Sequence, residues 1–405
     1  MPKIWPHIRK FLVSLKLTVA LLVLSMLLVF FATLDQKYLG IWAVQQKWFH
    51  SFLVYGAFPN GISIPLFPGG YLIGGLLFLN LVAGHIYRFR LTAKKIGLLL
   101  AHLGLLMLLL GIFFAGIWQE DFRMSLNQGQ TASYAESFFH NELAIIDTTA
   151  PDRDNVTAIP EKLLERATSS NAAASFQHRS LPFRVTVRAY YPNSAPQMRD
   201  QTAPGAAPSS ALAPVLATAG LGTQVVLAPL PVTNRTDEQN IPSAYIELTG
   251  ADGASLGTWL VTTAIDAPQT FTYQNKTWSL VLRSARRYFD FSLQLLAVTN
   301  DVYPGSDIPK NFSSRVLLRD ANDPAGREVT IYMNNPLRHD GLTFYQYQMS
   351  AATGNSVFQV VRNPARVLPY IACLLTGIGL LLHFLVSLAG YVKTRAGKLK
   401  NQPSV

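Results

Sequence analysis

The sequence predicts a membrane protein: four transmembrane helices plus a large all-β extracytoplasmic domain built as an antiparallel sandwich or open barrel. Three observations predict it. Four apolar runs approach or reach the ~20 residues that a spanning helix needs. Basic residues gather at one set of their ends. Between the third and fourth runs, residues 119–365 carry many short stretches of period-two alternation and turn residues, the pattern of a half-buried antiparallel sheet.

The 405 residues carry 34 Lys and Arg against 23 Asp and Glu, a formal charge of +11. The position of the excess decides its meaning. Lys3, Arg9, Lys10 and Lys16 precede or open the first run, and Arg88, Arg90, Lys94 and Lys95 separate the second from the third. Lys393, Arg395, Lys398 and Lys400 follow the last. Clusters at alternate helix ends are the signature of cytoplasmic loops, so the charge argues for a membrane and against nucleic acid. Both termini are then cytoplasmic. The lone cysteine, Cys373, lies in the last run, so an extracytoplasmic domain has neither disulfides nor thiol chemistry of its own.

Residues 1–34 are a cytoplasmic start and first helix, Leu15–Leu34. A signal peptide would have an apolar core of only ~7–15 residues and a small-x-small cleavage site. This run is longer and ends Phe30-Phe31-Ala32-Thr33-Leu34-Asp35, which predicts a retained anchor. Residues 35–69 form an outer loop. Within it Ile41–Phe58, with Trp42, Trp48, Phe49, Phe52 and Tyr55, predicts an amphipathic helix on the membrane surface or a loop packed on the soluble domain. Residues 70–118 hold the second and third spans, Tyr71–Tyr87 and Ile96–Trp118, joined by the basic turn. Residues 366–405 hold the fourth span and a basic tail.

In 119–365, strands are predicted at Phe183–Ala189, Tyr245–Leu248, Trp259–Thr262, Thr277–Leu282, Phe291–Val298, Ser314–Leu318, Glu328–Met333, Leu342–Tyr347 and Val357–Val361. Pro151–Ser180, with a short helix near Glu161–Ala167, and the Ala/Pro/Ser-rich Asn193–Gly222 read as long insertions or mobile loops rather than core.

Three histidines lie in apolar spans: His85, His102 and His383. His85 is three residues before Arg88, His102 six beyond Ile96 (roughly 9 Å), and His383 ten before Lys393. All three fall in the cytoplasmic half, where packed helices would let them face one cavity. An ionisable group within a span is a functional-site hypothesis, and neutral imidazole binds metals and haem iron. The competing role is a hydrogen bond to a neighbouring helix, strongest for His85 near the headgroups. Gly104 and Gly111 beside His102 allow a helix or a flat ligand to approach closely.

The β region offers no catalytic set: no GxSxG, HExxH or phosphate loop is present. Arg338-His339-Asp340-Gly341 reads as a hairpin turn. His50 and His140 read as interfacial polar contacts. Arg283–Phe291 (RSARRYFDF) reads equally as a binding surface or a solvated strand face.

The stretches SLKLTVALLVL, KKIGLLLAHLGLLMLLLG, YPGSDIPKNFSSRVLL, MNNPLRHDGLTFYQYQM and VRNPARVLPYIACLLTGIGLLLHF resemble the ResB (CcsB) family of system II cytochrome c biogenesis. The resemblance implies a bacterial inner-membrane subunit with a periplasmic β domain. It implies a CcsA/ResC-type partner with which haem b is moved outward and presented to the CxxCH motif of apocytochrome c. It also implies His102, in the AHLG segment, as the haem axial ligand, with His85 and His383 as weaker candidates. Arg88, Arg90, Lys94 and Lys95 would either pair with the propionates or simply fix topology.

A thioredoxin-like reductant would keep the client cysteines reduced. The partner's tryptophan-rich motif is absent, which implies a non-catalytic or partner-dependent subunit of a cytochrome c synthetase. The alternative is a membrane-anchored sensor or scaffold whose β domain binds a ligand or partner and whose histidines are incidental. A membrane enzyme acting on lipid or envelope polymer ranks last, because no nucleophile or paired-carboxylate motif supports it.

Overall fold

A computed structural model of the chain describes all residues except 1–4, 58–62, 152, 170–173, 199–216, 234–238, 266, 306–308, 351–352 and 401–405. The chain divides into two compact units. One holds the residues up to Glu120 and from Arg362 onward, and the other lies between them.

The first unit is helical: α1 (Trp5–Leu12), α2 (Leu15–Val44), α3 (Gly70–Tyr87) and α4 (Ile96–Trp118), with α6 (Leu368–Lys400) at the C-terminal end. The remaining helix, α5 (Glu161–Ser169), belongs to the second unit. Four of these, α2, α3, α4 and α6, are long and apolar enough to cross a membrane. At 23 residues α4 extends about 35 Å, slightly more than a hydrocarbon core of ~30 Å.

Two breaks shape this unit. Between α1 and α2 the chain bends at Val13–Ser14, and Asn80 of α3 closes the gap. Its amide donates to Leu12 O (2.6 Å) and Ser14 O (3.2 Å) and accepts the Thr18 hydroxyl (2.7 Å). Arg88 Nη1 donates to Val13 O at 3.1 Å. A carbonyl freed by a helix break must find such a donor when water is excluded.

The second break is Gly40, whose φ of 73° inside α2 suits glycine. Beyond it the helix turns, ends in a π-helical turn over Gln45–Phe49, and is latched back by Asp35, which accepts from Lys47 Nζ (2.6 Å) and Trp48 Nε1 (2.8 Å). The helix predicted over Ile41–Phe58 therefore stops at Phe49. The rest differs: β1 (Leu53–Ala57) pairs antiparallel with β2 (Ser63–Pro68). The reason is local. Gly69 N donates to Phe52 O and Tyr71 N to Ser51 O, so the start of α3 claims the carbonyls that a continuing helix would have used. The predicted turn Pro59-Asn60-Gly61 lies outside the described residues.

The second unit is β-rich. Its strands are β3 (Glu120–Asn127), β4 (Thr131–Asp147), β5 (Asn155–Pro160), β6 (Ala174–Phe176), β7 (Phe183–Tyr191), β8 (Ser194–Met198) and β9 (Val225–Pro229). They continue with β10 (Ser243–Gly250), β11 (Ser255–Thr262), β12 (Gln269–Tyr273), β13 (Lys276–Val302), β14 (Pro309–Arg319), β15 (Arg327–Tyr332), β16 (Leu337–His339), β17 (Leu342–Ser350) and β18 (Asn355–Arg362). Ten form one antiparallel sheet in the order β15-β14-β13-β4-β3-β18-β17-β16, with β5 on β4 and β12 on β13. Its two ends are consecutive strands joined by a short turn bridged at Tyr332 and Asn335, so the sheet nearly closes on itself as a barrel.

A four-stranded sheet, β11-β10-β7-β6, forms a second layer, and β8 and β9 pair separately. Strand β7 shows why such strands form. Phe183, Val185, Val187 and Ala189 are buried while Arg184 and Arg188 face outward, so alternation sends every second side chain into the core.

Strands β4 and β13 run through the two larger of this unit's cores. Leu143, Ile145, Trp278, Leu280 and Leu282 join the core beneath the four-stranded sheet. Ala132, Ala135, Phe291, Leu293 and Leu295 fill the barrel-like end. Register lapses between Ser284 and Arg286 and again between Tyr288 and Leu293, so RSARRYFDF is the seam between the two cores. Two of its arginines are tied into that seam, while Tyr288 and Asp290 stay exposed. Arg283 meets Glu142 at 3.0 Å with both side chains nearly buried, and Arg286 meets Glu136 at 3.0 Å while covering the Tyr134 ring.

The predicted Asp340-Gly341 turn is present. Its φ values of 46° and 72° are both positive, as a two-residue hairpin turn requires. The stretch Pro151–Ser180, expected as an insertion off the core, instead contributes to it: β5 pairs with β4, and Ile159 and Leu164 are buried. The predicted insertion Asn193–Gly222 lies largely outside the described residues.

Candidate functional site

Helices α3 and α4 are antiparallel neighbours joined by the basic turn, so positions close to that turn on each helix come level. That brings together two of the three intramembrane histidines. His102 Nδ1 lies 3.2 Å from His85 Nε2, and the rings meet edge-on with centroids 4.8 Å apart. On its other side His85 Nδ1 is 2.9 Å from Leu81 O, one turn earlier in α3. Phe89 stacks on the His85 ring at 5.0 Å. His102 Nε2 meets no hydrogen-bond partner among the described residues.

His383 does not join them, although its depth is similar. It lies on the α6 face that packs against α4. A Cβ at Gly97 would sit 2.5 Å from His383 N, and one at Gly379 would sit 2.4 Å from Ala101 N. Gly97, Ala101 and Gly104 give α4 a smooth stripe for α6, the small-residue packing that lets backbones approach. His102 follows Ala101 by one residue, ~100° round the helix, and so falls on the flank toward α3. The Nδ1 of His383 is buried without a hydrogen-bond partner among the described residues.

Gly104 and Gly111 are occupied likewise. Thr376 and Ala372 cover the first, Leu368 and Pro369 the second, so these glycines admit a helix and leave no slot for a flat ligand.

The cations of the basic turn divide in two. Arg88 is used at the α1–α2 break, and Arg9 lies over the Tyr87 ring at 5.5 Å. Arg90, Lys94 and Lys95 make no hydrogen bond or ion pair among the described residues. At the far end of the same helices His50 stacks on Tyr71 at 5.7 Å, with Nδ1 3.3 Å from Gln46 Nε2. His140 is exposed on a bulge of β4, where the Ser137 hydroxyl accepts the Phe139 and His140 N–H groups.

In the β unit the polar clusters are structural. His339 Nε2 lies 3.4 Å from Asp320 Oδ2 beside the Phe291 ring. Burial, reinforced by a hydrogen bond to Glu161, raises the Tyr190 phenol well above its usual range. The hydrogen bond from Lys276 (2.7 Å) holds the Asp147 carboxyl down at about 2.

The sequence offered His85 and His383 as weaker candidates than His102, and His85 is the residue that His102 contacts. Sequence reasoning passed over Asn80, whose signal was plain in hindsight: an amide inside an apolar span needs partners.

Fold and site together define a class: a membrane protein whose helical unit holds a paired-histidine site and whose second unit is a nearly closed antiparallel β structure. Residues 257–357, from β11 into β18, match the model of the ResB-like family. The resemblance read from the sequence therefore holds over the strand-rich second half of the β unit. The protein NrfI of Wolinella succinogenes is similar over 95 residues at 33% identity, a stretch that spans 24% of this chain and 10% of NrfI. The family match does not reach α3, α4 or α6, which carry His85, His102 and His383.

Proposed function

We propose that the chain is a haem-handling subunit for c-type cytochrome assembly in a bacterial inner membrane, with its termini cytoplasmic and its β unit periplasmic. The observation that carries the reading is the His102 imidazole, which is set in an apolar helix bundle and fixed through one nitrogen with the other left unpartnered. The family match at 257–357 supports it from the other unit.

The residues present fit haem as half of a site. The free imidazole nitrogen of His102 would hold the haem iron, while His85 is committed by its own hydrogen bonds. Arg90, Lys94 and Lys95 are free cations in the adjoining turn for propionates. When bound, haem supplies an iron that takes an imidazole ligand and vinyl groups that form thioethers with client cysteines.

The chain's own contribution is binding and orientation. His102 holds the ligand, the bundle excludes water, and the β unit holds apocytochrome c so that its cysteines are brought to the porphyrin, a gain of positioning. A CcsA/ResC-type membrane subunit supplies the remaining ligands, and a thioredoxin-like protein reduces the client's disulfide to the two thiols, because the β unit has no cysteine to do so.

The test is co-expression with such a partner, purification, and measurement of the Soret band together with c-type cytochrome yield. A band that His102→Ala removes, with loss of cytochrome maturation, supports the reading. A complex that carries no haem, or a variant that matures cytochromes normally, supports the scaffold alternative.

A further inference from the structure

We infer that His85 is a positioning residue for His102: it selects the imidazole tautomer that leaves His102 Nε2 as a bare lone pair, and is not itself a ligand. The inference rests on the haem-handling reading for its purpose, but its structural half stands alone.

Leu81 O accepts only, so the His85 Nδ1 that lies 2.9 Å from it must carry the proton. A neutral imidazole has one N–H, which leaves His85 Nε2 as an acceptor. Only a protonated His102 Nδ1 can then bond it at 3.2 Å. His102 therefore has its proton on Nδ1 and none on Nε2. Free imidazole side chains in water favour the reverse.

A carbonyl-to-imidazole-to-imidazole chain does here what a carboxylate or carbonyl does for many metal-binding histidines. It fixes ring orientation and raises the basicity of the donor nitrogen. The stacked Phe89 holds the His85 ring in place. The same geometry rules out His85 as a ligand alongside His102, because its Nε2 is already spent on the partner ring.

Two measurements test it on the full chain. The first uses 15N-histidine labelling of unloaded protein in detergent. His102 is expected to show protonated Nδ1 and bare Nε2, and His85→Leu is expected to shift it toward the Nε2–H form. Finding the Nε2–H form in the unsubstituted protein overturns the inference whether or not haem binds.

The second uses the haem-loaded complex. His85→Leu is expected to weaken haem retention about tenfold or more and to raise the reduction potential, while His85→Gln, whose carbonyl accepts the same proton, stays near the original. A His85→Leu protein unchanged in both respects overturns it. So does one that loses the Soret band completely and regains it with added imidazole, since His85 would then be the ligand. A Soret band that survives His102→Ala removes the ligand assignment of His102 instead, and leaves the tautomer result standing.

Discussion

His102 of α4 and His85 of α3 lie with their ring nitrogens 3.2 Å apart, joining two apolar helices. The contact makes two histidines unequal. One is fully used by its neighbours, and the other keeps a free nitrogen.

The break between α1 and α2 depends on Asn80. Asn80→Leu leaves Leu12 O and Ser14 O without their amide donor and is expected to destabilise the helical unit by about 1–3 kcal/mol. Thr18→Val removes one bond and is expected to cost less. Thermal unfolding of the two variants in detergent checks the order.

Helix α6 sits on the glycine stripe of α4. Gly97→Ala drives a methyl to 2.5 Å from the His383 backbone, which cannot swing aside, and overpacking of this kind costs about 1–3 kcal/mol. Gly75→Ala on α3 meets nothing within 4 Å and is expected to be neutral or slightly stabilising. Yield of monodisperse protein and melting temperature separate the two.

Asp147 gives the β unit a defined response to acid. Its carboxyl titrates at about 2 in the fold against an ordinary value of 3.8, because Lys276 donates to it. A folded-state value below the unfolded one stabilises the protein above pH 3.8, and the stabilisation is lost as pH falls from there through about 2. Lys276→Met should therefore melt below the unsubstituted protein at pH 6, with the gap closing between pH 4 and pH 2. A gap that stays constant over that range contradicts the assignment.

At the seam of the β unit, Arg283 and Glu142 form a pair with little exposure. Arg283→Ala leaves a carboxylate buried without its partner, a change that costs about 3–5 kcal/mol. The double variant Arg283→Met with Glu142→Leu is expected to recover much of that loss. A denaturation cycle over the four proteins measures the coupling, and additive single effects would contradict it.

The four spans were legible because length, apolarity and flanking charge are one-dimensional quantities. Strands were legible where one face is buried, as in Phe183–Tyr191. Strand β4 was not, because the bulge at Ser137–His140 and the seam glutamates Glu136 and Glu142 interrupt its alternation. The hairpin β1–β2 was hidden by aromatic residues that suit a surface helix equally well.

The site was half legible. Depth along a span follows from counting residues, and it put His85, His102 and His383 at one level. Which of them meet depends on helix rotation. That is set by where the glycines lie: Gly97 and Gly104 commit one face of α4 to α6 and so turn His102 toward α3.

The most direct test of the account is imidazole rescue at position 102. Purified with its partner, the His102→Gly protein should lack the Soret band of the unsubstituted complex, and millimolar imidazole should restore it by filling the vacated ligand position. A His102→Gly complex that keeps its band without imidazole would contradict the assignment of His102 as the haem-holding residue.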